Sequence, residues 1–173
     1  MSPLAACRWA SERLESGLKL LVAQADMDDI IIVTSVGNHG RDTIRMRAAG
    51  AADRSYEHDM YLDLQHRVRD SKLRWQFGVG YHNYLQVHDF TLRFHHGDAI
   101  RFQGGIGGIA IPVNKAIGQW NKSQRAHYDF FGHWHVGLAP YGWNWVSNGS
   151  IIGWSPFSVT IKADYQEPTQ TFW

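Results

Sequence analysis

The sequence has 173 residues, the length of one ordinary domain, and its 44% hydrophobic and 19% charged residues are typical of a globular chain. A formal net charge of +1 at pH 7 excludes a chain that binds nucleic acid through a basic surface over the whole molecule. A local basic patch is still compatible with this charge. The single cysteine, Cys7, excludes an internal disulfide and fits a reducing compartment. The sequence shows neither a signal-peptide pattern nor an apolar run near the ~20 residues of a membrane span, so we expect a cytoplasmic protein without a membrane partner.

The first half of the chain predicts a helix, a buried strand and a second helix. Residues 3–23 carry apolar side chains at three- and four-residue intervals, which predicts an amphipathic helix. Residues 30–34 form a β-branched apolar run without alternation, which is typical of a strand covered on both faces. After a break at Gly50, apolar residues recur every fourth position over 56–68 and predict another helix. The apolar positions of the first helix are Ala10, Leu14, Leu18, Leu21 and Val22.

The second half predicts a succession of strands interrupted by one helix. Strand patterns cover residues 72–77, 81–87 and 90–94, followed by a glycine-rich loop at 103–108 and a helix at about 112–126. Shorter strands are predicted at 128–131, 143–146, 151–152 and 157–162. The order of elements predicts the α/β class, with layered β-sheets flanked by helices in a single domain spanning 1–173.

Three strand-like segments each end in a glycine-containing turn that carries histidine or asparagine. Strand ends in a layered sheet meet at one edge, so we expect these turns to share a site. Histidine and asparagine supply neutral nitrogen and oxygen ligands, while glycine lets the backbone approach an ion closely. We interpret five other histidines as ordinary core or surface residues (His58, His66, His82, His88 and His127). The three turns are Gly37-Asn38-His39, His96-Gly97-Asp98 and Gly132-His133-Trp134-His135.

In their order, these turns resemble the last three of five motifs in the calcineurin-like metallophosphoesterase superfamily: Gly-Asn-His, His-Gly and Gly-His-x-His. Asn148-Gly149-Ser150 matches a turn that often follows them. The chain is most similar to phage and prokaryotic members near the Mre11/SbcD nuclease branch, from about residue 14 to the end. The resemblance implies a metallophosphoesterase fold and metal-dependent hydrolysis of phosphomonoesters or phosphodiesters, DNA included, in the cytoplasm of a bacterium or a phage-infected cell.

The resemblance also assigns roles to individual residues. Asn38, His96 and His133 would coordinate one metal ion, and His135 would coordinate a second. His39 would be the catalytic residue beside the phosphate, where it stabilises the transition state or protonates the leaving oxygen. The expected cofactors are divalent ions, two in a complete site, with manganese preferred and iron or zinc as alternatives.

Two residues next to the motifs have alternative interpretations. Arg41 is a candidate for bidentate contact with a phosphate oxygen, although arginine in such a position is often only solvated. Asp98 is a candidate for orienting His96 from behind, and a simple turn-capping role is the alternative.

The first two motifs of the superfamily, Asp-x-His and Gly-Asp-x-x-Asp, are absent from the sequence. Since they provide the bridging carboxylate and most ligands of one ion, we expect the dinuclear centre to be incomplete in this chain. We also expect the chain to correspond to the C-terminal portion of the superfamily's domain. It would then be a partial fold that lacks the N-terminal strands and exposes an apolar edge. Three explanations are open: a truncated sequence, one half of an enzyme completed by a second polypeptide, or a degenerate member that binds a partner without catalysis.

The leading hypothesis is therefore a metallophosphoesterase half-site that acts on a phosphoester substrate once it is completed. The alternative is a catalytically inactive binding module on the same fold. Its tryptophans would contact a protein or single-stranded nucleic acid, unless they fill the core. A mononuclear zinc site of unrelated chemistry is a third interpretation. The tryptophans concerned are Trp134, Trp143, Trp145 and Trp154.

Overall fold

The computed structural model describes residues 2–45, 49–101, 108–162 and 164–172. The chain forms two compact units, Met1–Asn83 and Tyr84–Trp173. Its helices and sheets confirm the predicted α/β class, with layered sheets flanked by helices. That both units belong to one domain stays a prediction. The predicted glycine-rich loop lies outside the described residues, except for Gly108. None of the helices in the described part combines the length and the apolar character that a membrane crossing requires.

The first unit contains two helices and a small parallel sheet. Helix α1 spans Pro3–Gln24 and helix α2 spans Tyr56–Arg67, with a 3-10 turn at Ala52–Arg54 before α2. Strand β1 (Ile30–Val33) pairs in parallel with β2 (Leu73–Gln76). The two helices and the two strands match the segments predicted for them to within one residue at each end.

Helix α1 packs against α2 through a face that mixes apolar and polar residues. Of the predicted apolar positions, Leu14 and Leu21 are each 43% exposed, whereas Ser11 is buried. Arg67 of α2 donates a hydrogen bond to Ser11 Oγ, and its Nη1 lies 2.9 Å from Glu15 Oε2. Ala10, Leu18 and Val22 are partly buried as predicted, whereas Leu14 and Leu21 remain at the surface.

The second unit is built on a four-stranded sheet in the order β3-β4-β5-β6. These strands span Asn83–Val87, Phe90–His95, Tyr128–Phe131 and Trp145–Ser147. Strands β4, β5 and β6 are parallel neighbours. Helix α3 (Ala110–Trp120) covers one face of the sheet. Its buried Val113 forms a core with Ile100, Phe131 and Trp145.

A fully buried ion pair joins β4 to β5 beneath α3. Arg93 and Asp129 are partners in the strand register, and their side chains are 0% and 1% exposed. Arg93 Nε and Nη2 donate to the two oxygens of Asp129 at 2.6 and 3.0 Å, a bidentate arrangement. The Trp120 ring lies 5.3 Å from the Arg93 guanidinium carbon. Burial lowers the pKa of Arg93, but the hydrogen bonds and charges of Asp129 and Tyr84 raise it by more, so the pKa lies above its usual range and the guanidinium stays charged.

Helix α3 differs from its prediction at both ends. It begins at Ala110 rather than 112 and ends at Trp120 rather than 126. Pro112 fits because the amides of a first helical turn have no partner inside the helix. At the other end, Asn121 Oδ1 accepts a hydrogen bond from the Ala126 amide at 3.1 Å, and this side chain closes the following turn.

Two strands predicted near the C-terminus are wrong. Residues 151–152 form a turn, in which both isoleucines are exposed. Residues 157–162 fall largely in helix α4 (Pro156–Ile161) instead of a strand. Ser155 and Ser158 form a capping box, and Pro156 occupies the first helical position. These local signals override the β-branched pattern of the segment.

Candidate metal centre

The two histidine turns of the second unit lie side by side because they follow neighbouring parallel strands. His95 at the end of β4 is the register partner of Phe131 at the end of β5. The Gly132 amide donates to His96 O at 3.0 Å, which ties the two turns together. His133 Nδ1 lies 3.2 Å from His96 Nε2, and the two rings are 5.0 Å apart at an angle of 72°.

The backbone of these turns takes conformations that bring them into close contact. Gly97 has φ 109°, and a Cβ there would lie 3.0 Å from Gly132 O and 3.3 Å from His133 Cβ. A side chain at position 97 would therefore push the two turns apart. His133 and His135 also have positive φ, 67° and 58°. Non-glycine residues in this region often occur where a site imposes the conformation.

The spacing of the two imidazole nitrogens suits a shared metal ion. Two nitrogens bound to one tetrahedral zinc, each about 2.0–2.1 Å from it, lie about 3.3 Å apart. Without an ion, His96 Nε2 and His133 Nδ1 are within hydrogen-bond distance of each other at 3.2 Å, and that separation also fits two nitrogens on one zinc. Within the described residues, no group of three or more histidine, cysteine, aspartate or glutamate side chains converges on one position. The geometry thus provides a pair of ligands.

The remaining predicted residues of the second unit lie in the same two turns or in the turn after β6. His135 is exposed, with its ring 5.8 Å from that of Phe157 in α4. Asp98 Oδ2 is buried and has no hydrogen-bond partner among the described residues. The Ile100 amide donates to Gly97 O at 3.0 Å and closes the turn that carries Asp98. The Asn148-Gly149-Ser150 turn directly follows β6.

His95 is a buried residue of this region that the motifs did not identify. Its ring stacks on Phe131 at 5.1 Å and 11°, and its Nε2 lies 3.5 Å from Asp129 Oδ1. Burial lowers the pKa of His95 more than the charge of Asp129 raises it, so the imidazole is neutral at pH 7. The sequence signal was present: Arg93 and Asp129 interrupt apolar strands just before the two histidine turns.

The Gly37-Asn38-His39 turn lies in the first unit, after β1. Asn83 binds the segment between β1 and this turn: its Nδ2 donates to Thr34 O at 3.1 Å and to Ser35 Oγ at 2.9 Å. Asn38 is half-buried and His39 is exposed. Sequence reasoning also missed Glu57 of α2, whose carboxylate contacts this turn. The structure therefore brings His96 and His133 together, while the joint action of Asn38 and His39 with them stays a prediction.

Arg41 folds back onto the loop that follows it. Its Nε donates to Thr43 O at 3.0 Å and its Nη2 to Ile44 O at 3.5 Å. Its backbone forms an antiparallel bridge with Ser55. These contacts give Arg41 a part in closing its own loop, and a role at phosphate stays a prediction.

The four tryptophans considered as a binding face divide into core and surface residues. Trp145 is 1% exposed and Trp134 packs against the core, as expected if tryptophans fill the interior. Trp143 and Trp154 are 42% and 44% exposed. The prediction of a binding face made of all four tryptophans is therefore wrong. Trp143 and Trp154 remain accessible.

Three crystal structures of Vps29 from Entamoeba histolytica are similar to this chain. The wild-type protein complexed with Zn²⁺ is 18% identical, with a TM-score of 0.38; the match covers 64% of this chain and 58% of that one. A single mutant is 14% identical, with a TM-score of 0.39 and coverage of 73% and 77%. A double mutant is 14% identical, with a TM-score of 0.41 and coverage of 84% and 66%.

The match thus spans 58% of the length of the Zn²⁺-bound structure. No family model matches the sequence, and no curated protein matches it.

Proposed function

We propose that this chain is a divalent-cation-binding module of the metallophosphoesterase type, in which His96 and His133 hold one ion. The observation that carries the proposal is the 3.2 Å separation of His96 Nε2 and His133 Nδ1. In the metal-bound form both imidazoles are neutral, and each keeps its proton on the nitrogen that faces away from the ion. The ion would supply Lewis acidity toward a phosphoryl oxygen.

The other predicted residues complete this proposal in their sequence-derived roles. Asn38 is proposed as a further ligand of the same ion, His135 as a ligand of a second ion, and His39 as the catalytic residue. The buried Asp98 oxygen supports a role beside His96, because an unpaired buried carboxylate is costly and a nearby cation offsets that cost. Manganese is the proposed ion, with zinc and iron as alternatives.

We propose that hydrolysis by this module requires metal ligands in addition to those that the described residues provide. The pair of histidines has no third ligand among the histidine, cysteine, aspartate and glutamate side chains of the described residues. Two neutral nitrogens leave the charge of a divalent ion uncompensated. We therefore propose that a second polypeptide supplies carboxylates before phosphomonoesters or phosphodiesters, including DNA, are cut. Phage or prokaryotic origin near the Mre11/SbcD branch belongs to the same proposal.

A second candidate function is a binding module without catalysis. It is favoured by the C-terminal segment, where large apolar side chains are exposed in close succession. Such density at the surface is typical of an interaction site. The residues are Ile151, Ile152, Trp154, Phe157, Val159, Tyr165 and Phe172.

Metal titration tests the first proposal. Tag-free protein is titrated calorimetrically with Zn²⁺ and, separately, with Mn²⁺, together with the variants His96→Ala and His133→Ala. Removal of either ligand is expected to weaken binding by about 10- to 100-fold or more. His66→Ala is the matched control, because His66 is an exposed residue of α2. Equal affinity in wild type and His133→Ala would overturn the metal assignment.

Activity measurements separate the two candidates. The chain alone is assayed on bis-p-nitrophenyl phosphate with Mn²⁺, and again with a polypeptide carrying the two missing motifs. The phosphoesterase proposal expects turnover only in the completed protein, and loss of that turnover in His39→Ala. Metal binding without turnover in the completed protein favours the binding module.

A further inference from the structure

The Gly37–Gly40 turn is held by a carboxylate that comes from 20 residues further along the chain. Glu57 Oε2 accepts a hydrogen bond from the Gly37 amide at 2.6 Å. Since the acceptor is a carboxylate, this bond is of the short, charge-assisted kind. The first amide of the Gly-Asn-His motif therefore has a defined partner outside its own loop.

The same side chain also fills the space beside Gly40 at the other end of the turn. A Cβ at position 40 would lie 2.6 Å from Glu57 Cγ, 2.7 Å from Oε1 and 2.8 Å from Cδ. Such distances are far inside van der Waals contact, so a larger residue at position 40 would displace the carboxylate. Gly40 is buried, which leaves little room for the side chain to move aside.

Backbone contacts bring the start of α2 against this turn. The Tyr56 amide donates to Gly40 O at 2.8 Å, and the Asp42 amide donates to Arg54 O at 3.0 Å. Ser55 caps α2 by accepting from the Glu57 amide at 3.2 Å. Glu57 thus lies in the first turn of α2, where the helix dipole favours a negative charge.

We infer that Glu57 is a positioning residue for Asn38 and His39. The Glu57 side chain spans the turn from the Gly37 amide to Gly40, and the two functional residues lie between those points. Their backbone geometry is therefore set by a carboxylate that contacts the glycines on either side of them. The roles of Asn38 and His39 rest on the proposed function, whereas the contacts of Glu57 do not.

Hydrogen exchange of the Gly37 amide tests these contacts without any metal. In the full chain, Glu57→Ala is expected to speed this exchange by about 10- to 100-fold, the factor of a hydrogen bond to a charged acceptor. Glu57→Gln retains a carbonyl acceptor and is expected to keep most of the protection. Asp59→Ala is the matched control, since it removes an exposed carboxylate from the same helical turn. Equal protection in wild type and both Glu57 variants, or the same loss in Asp59→Ala, would overturn the inference.

A double-mutant cycle on Zn²⁺ affinity tests the positioning role. Asn38→Ala is expected to weaken Zn²⁺ binding in the wild-type background but to have little further effect in Glu57→Ala. Full additivity of the two substitutions would overturn the positioning role and leave the metal proposal intact. If the wild type binds no Zn²⁺, the proposed function fails, and amide exchange and side-chain order at Asn38 in Glu57→Ala decide the inference alone. If Glu57→Ala does not fold, Gly40→Ala, whose Cβ displaces the Glu57 carboxylate, replaces it in both measurements.

Discussion

The histidine turns of the second unit and the Gly37–Gly40 turn of the first are held in different ways. His96 and His133 follow adjacent parallel strands that are joined by the fully buried Arg93–Asp129 pair. The Gly37–Gly40 turn follows β1 but is fastened by side chains, chiefly that of Glu57. The separation of the two histidines is thus a property of the sheet. The position of Asn38 and His39 depends on a few polar contacts that single substitutions can remove.

The largest effect is expected where the sheet itself is broken. Asp129→Ala leaves Arg93 charged, buried and unpaired, so we expect it to lower the free energy of unfolding by about 3–5 kcal/mol. Urea denaturation measures this. Asp42→Ala, which removes the exposed 3.3 Å pair with Arg54, is the control and should cost no more than about 1 kcal/mol. A cost below about 1 kcal/mol for Asp129→Ala would contradict a strong buried pair between β4 and β5.

A pH effect is expected in the first unit, from Tyr61 on α2. Burial, together with the charges of Glu57 and Cys7, raises the pKa of Tyr61 to about 12. The unfolded chain loses this proton near pH 10, so unfolding becomes easier as the pH rises from 10 to 12. Two pKa units correspond to about 2.7 kcal/mol of stability lost over that range.

Denaturation at pH 9 to 12 of the Tyr61→Phe variant measures the Tyr61 contribution. In Tyr61→Phe, the free energy of unfolding should fall less between pH 10 and 12 than in the wild type. Tyr141→Phe, at a fully exposed residue, should show the same fall as the wild type. Identical alkaline profiles for wild type and Tyr61→Phe would show that Tyr61 is not held in its neutral form.

A smaller effect is expected when the Gly37–Gly40 turn is crowded. Gly40→Ala places a Cβ against Glu57, and overpacking of this kind costs about 1–3 kcal/mol. Gly17→Ala, in α1 with nothing within 4 Å of the new Cβ, should instead stabilise by up to about 1 kcal/mol. Thermal unfolding compares the two variants. A Gly40→Ala protein as stable as Gly17→Ala would contradict the tight contact with Glu57.

The smallest effect concerns helix α4, which carries Phe157 beside His135. Ser158→Ala removes the hydroxyl that accepts a hydrogen bond from the Ser155 amide at 3.0 Å and should cost about 1 kcal/mol. The ring-proton chemical shifts of His135 should change, since its contact with Phe157 depends on α4. An unchanged His135 signal would show that α4 does not shape this side of the site.

The features that were predicted correctly from the sequence are those that depend on residues close together in the chain. The strand at 128–131 and the paired histidine turns follow from local patterns and parallel order. Helix α4 replaces the predicted strand because the capping box of Ser155 and Ser158 outweighs the strand preference of its β-branched residues. Glu57 was beyond prediction because 20 residues separate it from Gly37, and nothing local indicates that they meet. Gly40, directly after the motif, was the one available sign of a close approach.

X-ray absorption of the Zn²⁺-loaded chain tests most directly whether His96 and His133 hold one ion. The 3.2 Å between their nitrogens predicts two imidazole nitrogens at about 2.0–2.1 Å from zinc. One of these contributions should disappear in His133→Ala, while His66→Ala leaves the spectrum unchanged. A zinc shell without imidazole, or an identical spectrum in His133→Ala, would contradict the account.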